Sequence, residues 1–154
     1  DRPGRPSASA VAYSDDLAGR CSADKRRDIG ATLTEVGDAA AVLTLPDSIN
    51  WLLNIRGGDL SHLPIVQAFA IAGADGSVQI FTAPAKFDGL ALDSGVTVAP
   101  WEKFEEALSG LSGPVRVHRA TAPKAIVDIL EAAGVEISDK ADPCVLPKAL
   151  KTPA

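Results

Sequence analysis

The sequence is poor in aromatic residues and in cysteine, and each shortage limits what the chain can be. Phe, Trp and Tyr make up 5% of 154 residues, so a core has to be built mainly from Ala, Val, Ile and Leu. Two cysteines, Cys21 and Cys144, are too few for a disulfide scaffold. Neither lies in a CxxC motif or at zinc-ligand spacing from a histidine, so we expect two free thiols in a reducing cytoplasm.

Basic charge and long apolar runs are also scarce. Lys and Arg number 15 against 20 Asp and Glu, which gives a formal net charge of −5. Nonspecific nucleic-acid binding needs clustered cations, and the densest basic run, Lys25-Arg26-Arg27, is interpreted as a solvated helix face between Asp24 and Asp28. No apolar run approaches the ~20 residues that span a bilayer. We therefore expect no nucleic-acid partner and no membrane partner.

The overall composition is that of a globular domain with a polar lead-in. Apolar residues make up 46% of the chain and charged residues 23%, close to the averages of folded domains. Residues 1–17 include Pro3, Gly4 and Pro6 and are predicted to be a linker or lead-in. The first helix should follow, with Ser22 as N-cap, Ile29, Leu33 and Val36 on one face, and Gly37 at its end.

Short apolar segments alternate with helical ones over the rest of the chain. Strands are predicted at residues 40–45, 67–72, 77–82, 96–99, 115–118 and 135–137. Helices are predicted from Pro46, over 84–92, over 101–108, and after Thr121 as an N-cap. Asp75-Gly76 lies between the second and third strands and indicates a β-hairpin. The alternation predicts an α/β domain with a mixed sheet and helices on both faces.

Motifs of the common catalytic chemistries are missing. The chain has no GxGxxG or GxxxxGK[ST] phosphate loop, no GxSxG elbow and no HExxH zinc motif. Cys144 is interpreted as an inert thiol and His118 as a partly exposed surface histidine. The predicted strands hold only one acid, Glu136, so the clustered carboxylates of a ribonuclease-H-like nuclease are not expected. Most other acids are interpreted as solvated residues on helix faces: Glu102, Glu105, Glu106, Asp128 and Glu131.

The loop over residues 56–64 carries more functional side chains than a turn requires. Arg56, Asp59 and His62 surround Gly57-Gly58. The guanidinium of Arg offers a bidentate fork for carboxylates, and glycines allow a close approach of the backbone. Composition alone leaves two alternatives, which are a binding loop and a surface turn with an internal Arg56–Asp59 pair.

Three segments carry a resemblance to a known family. Residues 47–59, D-S-I-N-W-L-L-N-I-R-G-G-D, followed by Pro64, resemble the middle domain of aminopeptidase P enzymes of the three-domain type, which are M24 metallopeptidases. Residues 18–20 and 22–26 resemble the lead-in to the first helix of that domain. Residues 141–144, A-D-P-C, with 147–151, resemble its junction with the catalytic domain. The resemblance extends over residues 10–154, nearly the whole chain.

The resemblance implies a fold and a parent enzyme. The fold would be that of creatinase and prolidase N-terminal domains, a ribonuclease-H-like three-layer α/β/α sandwich with a mixed sheet. This domain would occupy residues 18–146, and residues 147–154 would begin the junction to a catalytic domain that is not in this chain. The parent would remove the first residue of peptides with proline second, and two divalent metals, usually manganese, would activate water. Their ligands belong to the absent domain, so no catalytic or metal residue is assigned here.

The resemblance also implies a role for this chain. The isolated chain would be inactive and hold no cofactor, and it would support substrate access or assembly of the catalytic domain. Arg56, Asp59 and His62 would form a substrate-access loop. The partners would be the parent's own catalytic domain and, through the parent, proline-containing peptides, with room for a homodimer of the parent in the cytoplasm. The alternative is a creatinase-like module that binds peptides or proteins without catalysis.

Overall fold

The computed structural model describes residues 11–12, 21–56, 68–87, 92–144 and 147. Within these ranges the helices are α1 (Ser22–Glu35), α2 (Pro46–Leu53), α3 (Phe104–Ser109) and α4 (Lys124–Ala132), with 3-10 helices at Pro84–Phe87 and Trp101–Lys103. The strands are β1 (Val11–Ala12), β2 (Ala40–Leu43), β3 (Ile55–Arg56), β4 (Phe69–Gly73), β5 (Val78–Phe81), β6 (Val96–Ala99), β7 (Val115–Val117) and β8 (Ile137–Asp139). No helix in these ranges is both long enough and apolar enough to cross a bilayer.

The strands of the described residues form one six-stranded mixed sheet and one short ribbon. The sheet order is β6-β5-β4-β2-β7-β8, and the ribbon pairs β1 with β3. Strand β4 runs antiparallel to β2 and β5, whereas the pairs β5–β6, β2–β7 and β7–β8 are parallel. The predicted hairpin is confirmed as β4–β5, and its turn ends at Gly76, whose φ of +88° favours glycine.

Two apolar cores lie on opposite faces of the sheet because successive strand residues point to opposite sides. On one face, α1 and α2 pack through Ile29, Leu33, Ile49 and Leu52 against strand residues that include Ala41, Leu43, Ala70 and Ile80. On the other face, α3 and α4 pack through Phe104, Leu108, Ile126 and Leu130 against residues that include Val42, Ile71, Phe81 and Val115. The predicted three-layer α/β/α arrangement with a mixed sheet is confirmed.

Three details of the helix predictions are corrected. Ser22 is the first residue of α1 and Cys21 is its N-cap, so the Ser22 hydroxyl is free to donate elsewhere. Val36 is 50% exposed, because α1 ends at Glu35 and Gly37 turns the chain with φ of +81°. Pro123, and not Thr121, is the N-cap of α4. The Thr121 side chain instead contacts Nδ1 of His118 at 3.0 Å.

Two further boundaries differ from the predictions. The segment predicted as a helix over 84–92 is a 3-10 helix over Pro84–Phe87, and residues 88–91 lie outside the described residues. The last strand begins at Ile137 and contains Asp139, whereas Glu136 precedes it. Asp139 accepts a hydrogen bond from the backbone N–H of Arg119 at 3.1 Å, so this strand acid has a structural partner.

Candidate functional site

Of the three residues predicted to form the substrate-access loop, the first, Arg56, lies in strand β3. Arg56 is the second residue of β3, and its backbone is paired with Val11 of β1 in the antiparallel ribbon. Asp59 and His62 lie outside the described residues. The structure therefore places the entry of the loop and describes no contact among the three side chains.

A left-handed residue directs the chain from α2 into β3. Helix α2 ends at Leu53, and its C-cap Asn54 has φ of 52° and ψ of 51°. Asparagine tolerates this conformation better than most residues with a Cβ. The Asn54 N–H donates to the carbonyl oxygens of Asn50 and Trp51. Arg56 thus follows a tight reversal by two residues, and its direction depends on the conformation of Asn54.

A buried lysine lies under this reversal. The Nζ of Lys25, in α1, donates to the carbonyl oxygen of Trp51 at 2.8 Å and to Oδ1 of Asn54 at 2.6 Å. The same ammonium lies 4.5 Å from the centroid of the Trp51 ring, within cation–π distance. Lys25 is only 3% exposed. A cation at the C-terminal end of α2 also faces the negative end of the helix dipole.

Ser22 adds a second contact between α1 and the end of α2. Its hydroxyl donates to the carbonyl oxygen of Leu52 at 2.9 Å. Ser22 and Lys25 are one helical turn apart, so both point from the same face of α1. Together they bind carbonyl oxygens in the last turn of α2, where a helix offers its carbonyl groups few backbone donors.

The interpretation of Lys25-Arg26-Arg27 as a solvated face was wrong for its first two residues. Arg26 is 8% exposed, and it donates to the carbonyl oxygen of Gly76 at 3.1 Å and pairs with Asp93 at 3.3 Å. Only Arg27 is exposed, where it pairs with Asp24. Helical spacing could have predicted this burial. Residues 22, 25 and 26 precede the core residue Ile29 by seven, four and three positions, so they lie on the same face of α1.

The surroundings of the cysteines, His118 and the helix-face acids agree with the sequence predictions. Neither cysteine of the described residues forms a disulfide, and Cys144 is fully buried while its backbone N–H donates to Oδ1 of Asp142 at 2.7 Å. His118 is partly exposed, as predicted. The acids assigned to solvated helix faces are exposed: Glu102, Glu105, Glu106, Asp128 and Glu131. Within the described ranges, no three His, Cys, Asp or Glu side chains are grouped so as to hold a metal ion.

A cavity of about 720 Å³ opens on the sheet face that α3 and α4 cover in part. It lies over the ends of β2, β4, β5 and β6, and its lining includes Ile71, Gln79, Thr97 and Leu111. Its walls combine apolar side chains with the carboxylate of Asp75, the amide of Gln79 and hydroxyl groups that include that of Thr97.

The sequence profile of the creatinase/prolidase N-terminal domain matches residues 1–154, the whole chain. The chain belongs to this family. Its curated relatives include a probable Xaa-Pro aminopeptidase P of Coccidioides posadasii, 31% identical over 115 residues, which are 73% of this chain and 19% of the relative. Aminopeptidase P1 of Arabidopsis thaliana is 36% identical over 74 residues, 48% of this chain and 12% of the relative. This creatinase/prolidase N-terminal domain thus spans a fifth or less of these relatives.

Solved structures of low sequence identity share the fold of this creatinase/prolidase N-terminal domain. The X-prolyl aminopeptidase of Caenorhabditis elegans, described as a cytosolic enzyme with a di-nuclear active site, superposes with a TM-score of 0.73 at 22% identity. The match covers 91% of this chain and 25% of that one. The creatinase/prolidase N-terminal domain of an X-Pro dipeptidase of Streptococcus pyogenes gives 0.55 at 15% identity, covering 82% and 96%.

Proposed function

We propose that this domain is the non-catalytic part of an Xaa-Pro aminopeptidase-like metallopeptidase, in which it supports substrate access to a separate metal-dependent catalytic domain or the assembly of that domain. The observation that carries the proposal is that the family match covers all of this chain but only a small part of its longer relatives. The family profile covers the whole chain, whereas the chain corresponds to only 19% of an Xaa-Pro aminopeptidase P relative. About four-fifths of such a relative therefore lie outside this domain, and we expect the catalytic domain to be there.

The metal chemistry implied by the family does not fit the donor set of the described residues. Two divalent metals would need several carboxylates and a histidine close together, and no such group occurs in those ranges. The exposed acids are occupied in part by surface ion pairs, such as Glu131 with Arg119 and Asp128 with Lys124. We propose that the catalytic domain holds the metals, which we expect to be two manganese ions.

The part of this chain that we propose faces the substrate is the loop that starts at Arg56. A guanidinium can bind the carboxylate of a peptide in a bidentate manner, and Asp59 and His62 could complete a polar entrance. The support comes from the backbone. Arg56 belongs to a strand that follows a left-handed C-cap fixed by buried partners, so the loop starts from a defined direction.

The test is manganese-dependent hydrolysis of an Xaa-Pro peptide by this 154-residue chain, beside a longer protein that contains this domain and a metallopeptidase domain. We expect turnover by the longer protein alone. Turnover by the 154-residue chain, purified free of host peptidases and abolished by a chelator, would overturn the proposal and show that the chain has a metal site of its own.

A second candidate function is a peptide- or protein-binding module without catalysis. The observation that favours it is the cavity over Ile71, Gln79 and Thr97, which has the size of a small ligand site. Titration of the chain with proline-containing peptides, followed by NMR, separates the two functions. Saturable shifts at Gln79 and Thr97 without any parent activity would favour the binding module. Parent activity with no shifts at these residues would favour the accessory domain.

A further inference from the structure

The group formed by Lys25, Trp51 and Asn54 is more polar than packing requires. Lys25 and Asn54 are 3% and 5% exposed, and they come from segments 29 residues apart. Burial of an ammonium group is costly unless hydrogen bonds compensate, and an aliphatic side chain would fill the same volume at lower cost. Fixing a local geometry is one established role of such buried polar groups.

The geometry that it fixes is the reversal between α2 and β3. Many helices end with glycine in the left-handed conformation, which needs no side chain. Here the residue is Asn54, with φ of 52°, and its Oδ1 accepts from Lys25 Nζ at 2.6 Å. The Trp51 carbonyl oxygen accepts from Lys25 and also from the Asn54 N–H. Lys25 thus contacts both the side chain of Asn54 and the acceptor of its backbone amide.

We propose that Lys25 is a positioning residue for Arg56: it holds Asn54 in the left-handed conformation and thereby sets the direction in which β3 leaves α2. The proposal rests on the proposed function, in which Arg56 faces the substrate. Lys25 acts through Asn54 and touches no reacting atom. The ring of Trp51 supports the ammonium from the other side and restricts its position.

The structural arm of the test uses the 154-residue chain and NMR. Lys25→Met keeps the apolar stem and removes the ammonium, and Arg27→Met is the matched control from the exposed face of α1. We expect Lys25→Met to move the Cα and Cβ shifts of Asn54, Ile55 and Arg56 several times more than the control does. If both variants leave these shifts equally unchanged, the proposal is wrong.

A second variant covers the case in which Lys25→Met does not fold. Asn54→Gly keeps access to the left-handed conformation but removes the Oδ1 acceptor. We expect faster amide exchange at Ile55 and Arg56, with unchanged exchange in the buried strand β2. Equal exchange at residues 54–56 in Asn54→Gly and the native chain would contradict the proposal.

The functional arm uses the longer protein that carries this domain and a catalytic domain. Lys25→Met should lower kcat/KM for an Xaa-Pro peptide about tenfold, since a 1 Å misplacement can cost about 100-fold. In an Asn54→Gly background the same substitution should have little further effect, because both changes break one contact. Additive losses would indicate a general loss of stability and contradict positioning through Asn54.

The two proposals fail in different ways. If Arg56→Ala leaves the kinetics unchanged while Lys25→Met still shifts the resonances of residues 54–56, the role of the loop in catalysis is wrong and the positioning contact stands. If Arg56→Ala lowers kcat/KM while Lys25→Met moves neither shifts nor kinetics, the function stands and Lys25 is not its positioning residue.

Discussion

Gly30 of α1 lies directly against the carbonyl oxygen of Ala74 in the β4–β5 turn. A Cβ at Gly30 would lie 2.7 Å from that oxygen and 3.1 Å from the backbone nitrogen of Gly76. Both atoms belong to a backbone turn that the sheet holds in place, so neither can rotate away as the end of a side chain could. The helix can approach the hairpin this closely only because residue 30 has no side chain.

Gly30→Ala should therefore destabilise the domain. Alanine favours a helix over glycine by about 1 kcal/mol, but forced overpacking costs about 1–3 kcal/mol, so we expect a net loss. The free energy of unfolding in urea measures the difference. Gly110→Ala is the matched control, because the nearest atom to its added Cβ would lie at 3.6 Å, an ordinary contact. Equal stabilities of the two variants would contradict the close approach.

Lys140 partners a buried carboxylate far away in sequence. Its Nζ lies 3.5 Å from Oδ2 of Asp38, whose side chain is 2% exposed, whereas Lys140 itself is 41% exposed. Lys140→Met should destabilise the domain by about 1–3 kcal/mol, because it leaves a buried charged group without this partner. The double variant Asp38→Asn/Lys140→Met should recover part of the loss in urea denaturation. A double variant that is less stable than Lys140→Met would show that Asp38 is held by other groups.

Asp75 in the hairpin turn should titrate at low pH. Its pKa is lowered mainly by the hydrogen bond from the Ser77 hydroxyl and also by the Ser77 N–H, at 2.6 and 3.0 Å. A depressed folded-state pKa stabilises the fold above the ordinary aspartate pKa of about 3.9, and this contribution is lost as pH falls through the lower folded value. Since Asp75 is exposed, the effect on stability is small.

Ser77→Ala should raise the pKa of Asp75 toward its ordinary value, as followed by the carboxyl carbon resonance during an NMR pH titration. An Asp75 titration that is identical in the native chain and in Ser77→Ala would show that the hydroxyl does not stabilise the carboxylate.

Arg56→Ala should impair the longer protein and leave this domain folded. We expect a higher KM or a lower kcat for an Xaa-Pro peptide, because the guanidinium is proposed to bind or orient the substrate at the entrance. The thermal unfolding of the 154-residue chain should change little. Unchanged kinetics together with a large loss of stability would show instead that Arg56 is structural.

Much of the fold could be predicted from local pattern. The uniformly apolar segment after Gly37 predicted a strand buried on both faces, and every residue of β2 is buried. Asp75-Gly76 predicted the hairpin, because few residues other than glycine adopt a positive φ there without strain. Helix ends were predicted less well, since Ser22 suits an N-cap by its chemistry, yet its hydroxyl reaches Leu52 in another helix.

The candidate site was predicted only as a loop rich in functional groups. The resemblance to the family selected Arg56, Asp59 and His62. It did not indicate which residues support the start of the loop. Charge alone favoured solvent for Lys25 and Arg26, because an isolated cation is more stable in water than in a core. That preference is reversed where buried acceptors meet the cation. For Lys25 they come from the end of α2, and for Arg26 they are the Gly76 carbonyl oxygen and the Asp93 carboxylate.

The sequence by itself determined the α/β class and the alternation of strands and helices, because these follow from periodicities of 2 and 3.6. The family was indicated by the resemblance of residues 47–59 and of the two flanking segments. Only the tertiary structure decided which polar groups are buried. Lys25 and Asn54 are 29 positions apart, and their contact exists only once α1 packs beside the end of α2. Contacts between distant segments depend on how whole elements pack, and no local pattern encodes that packing.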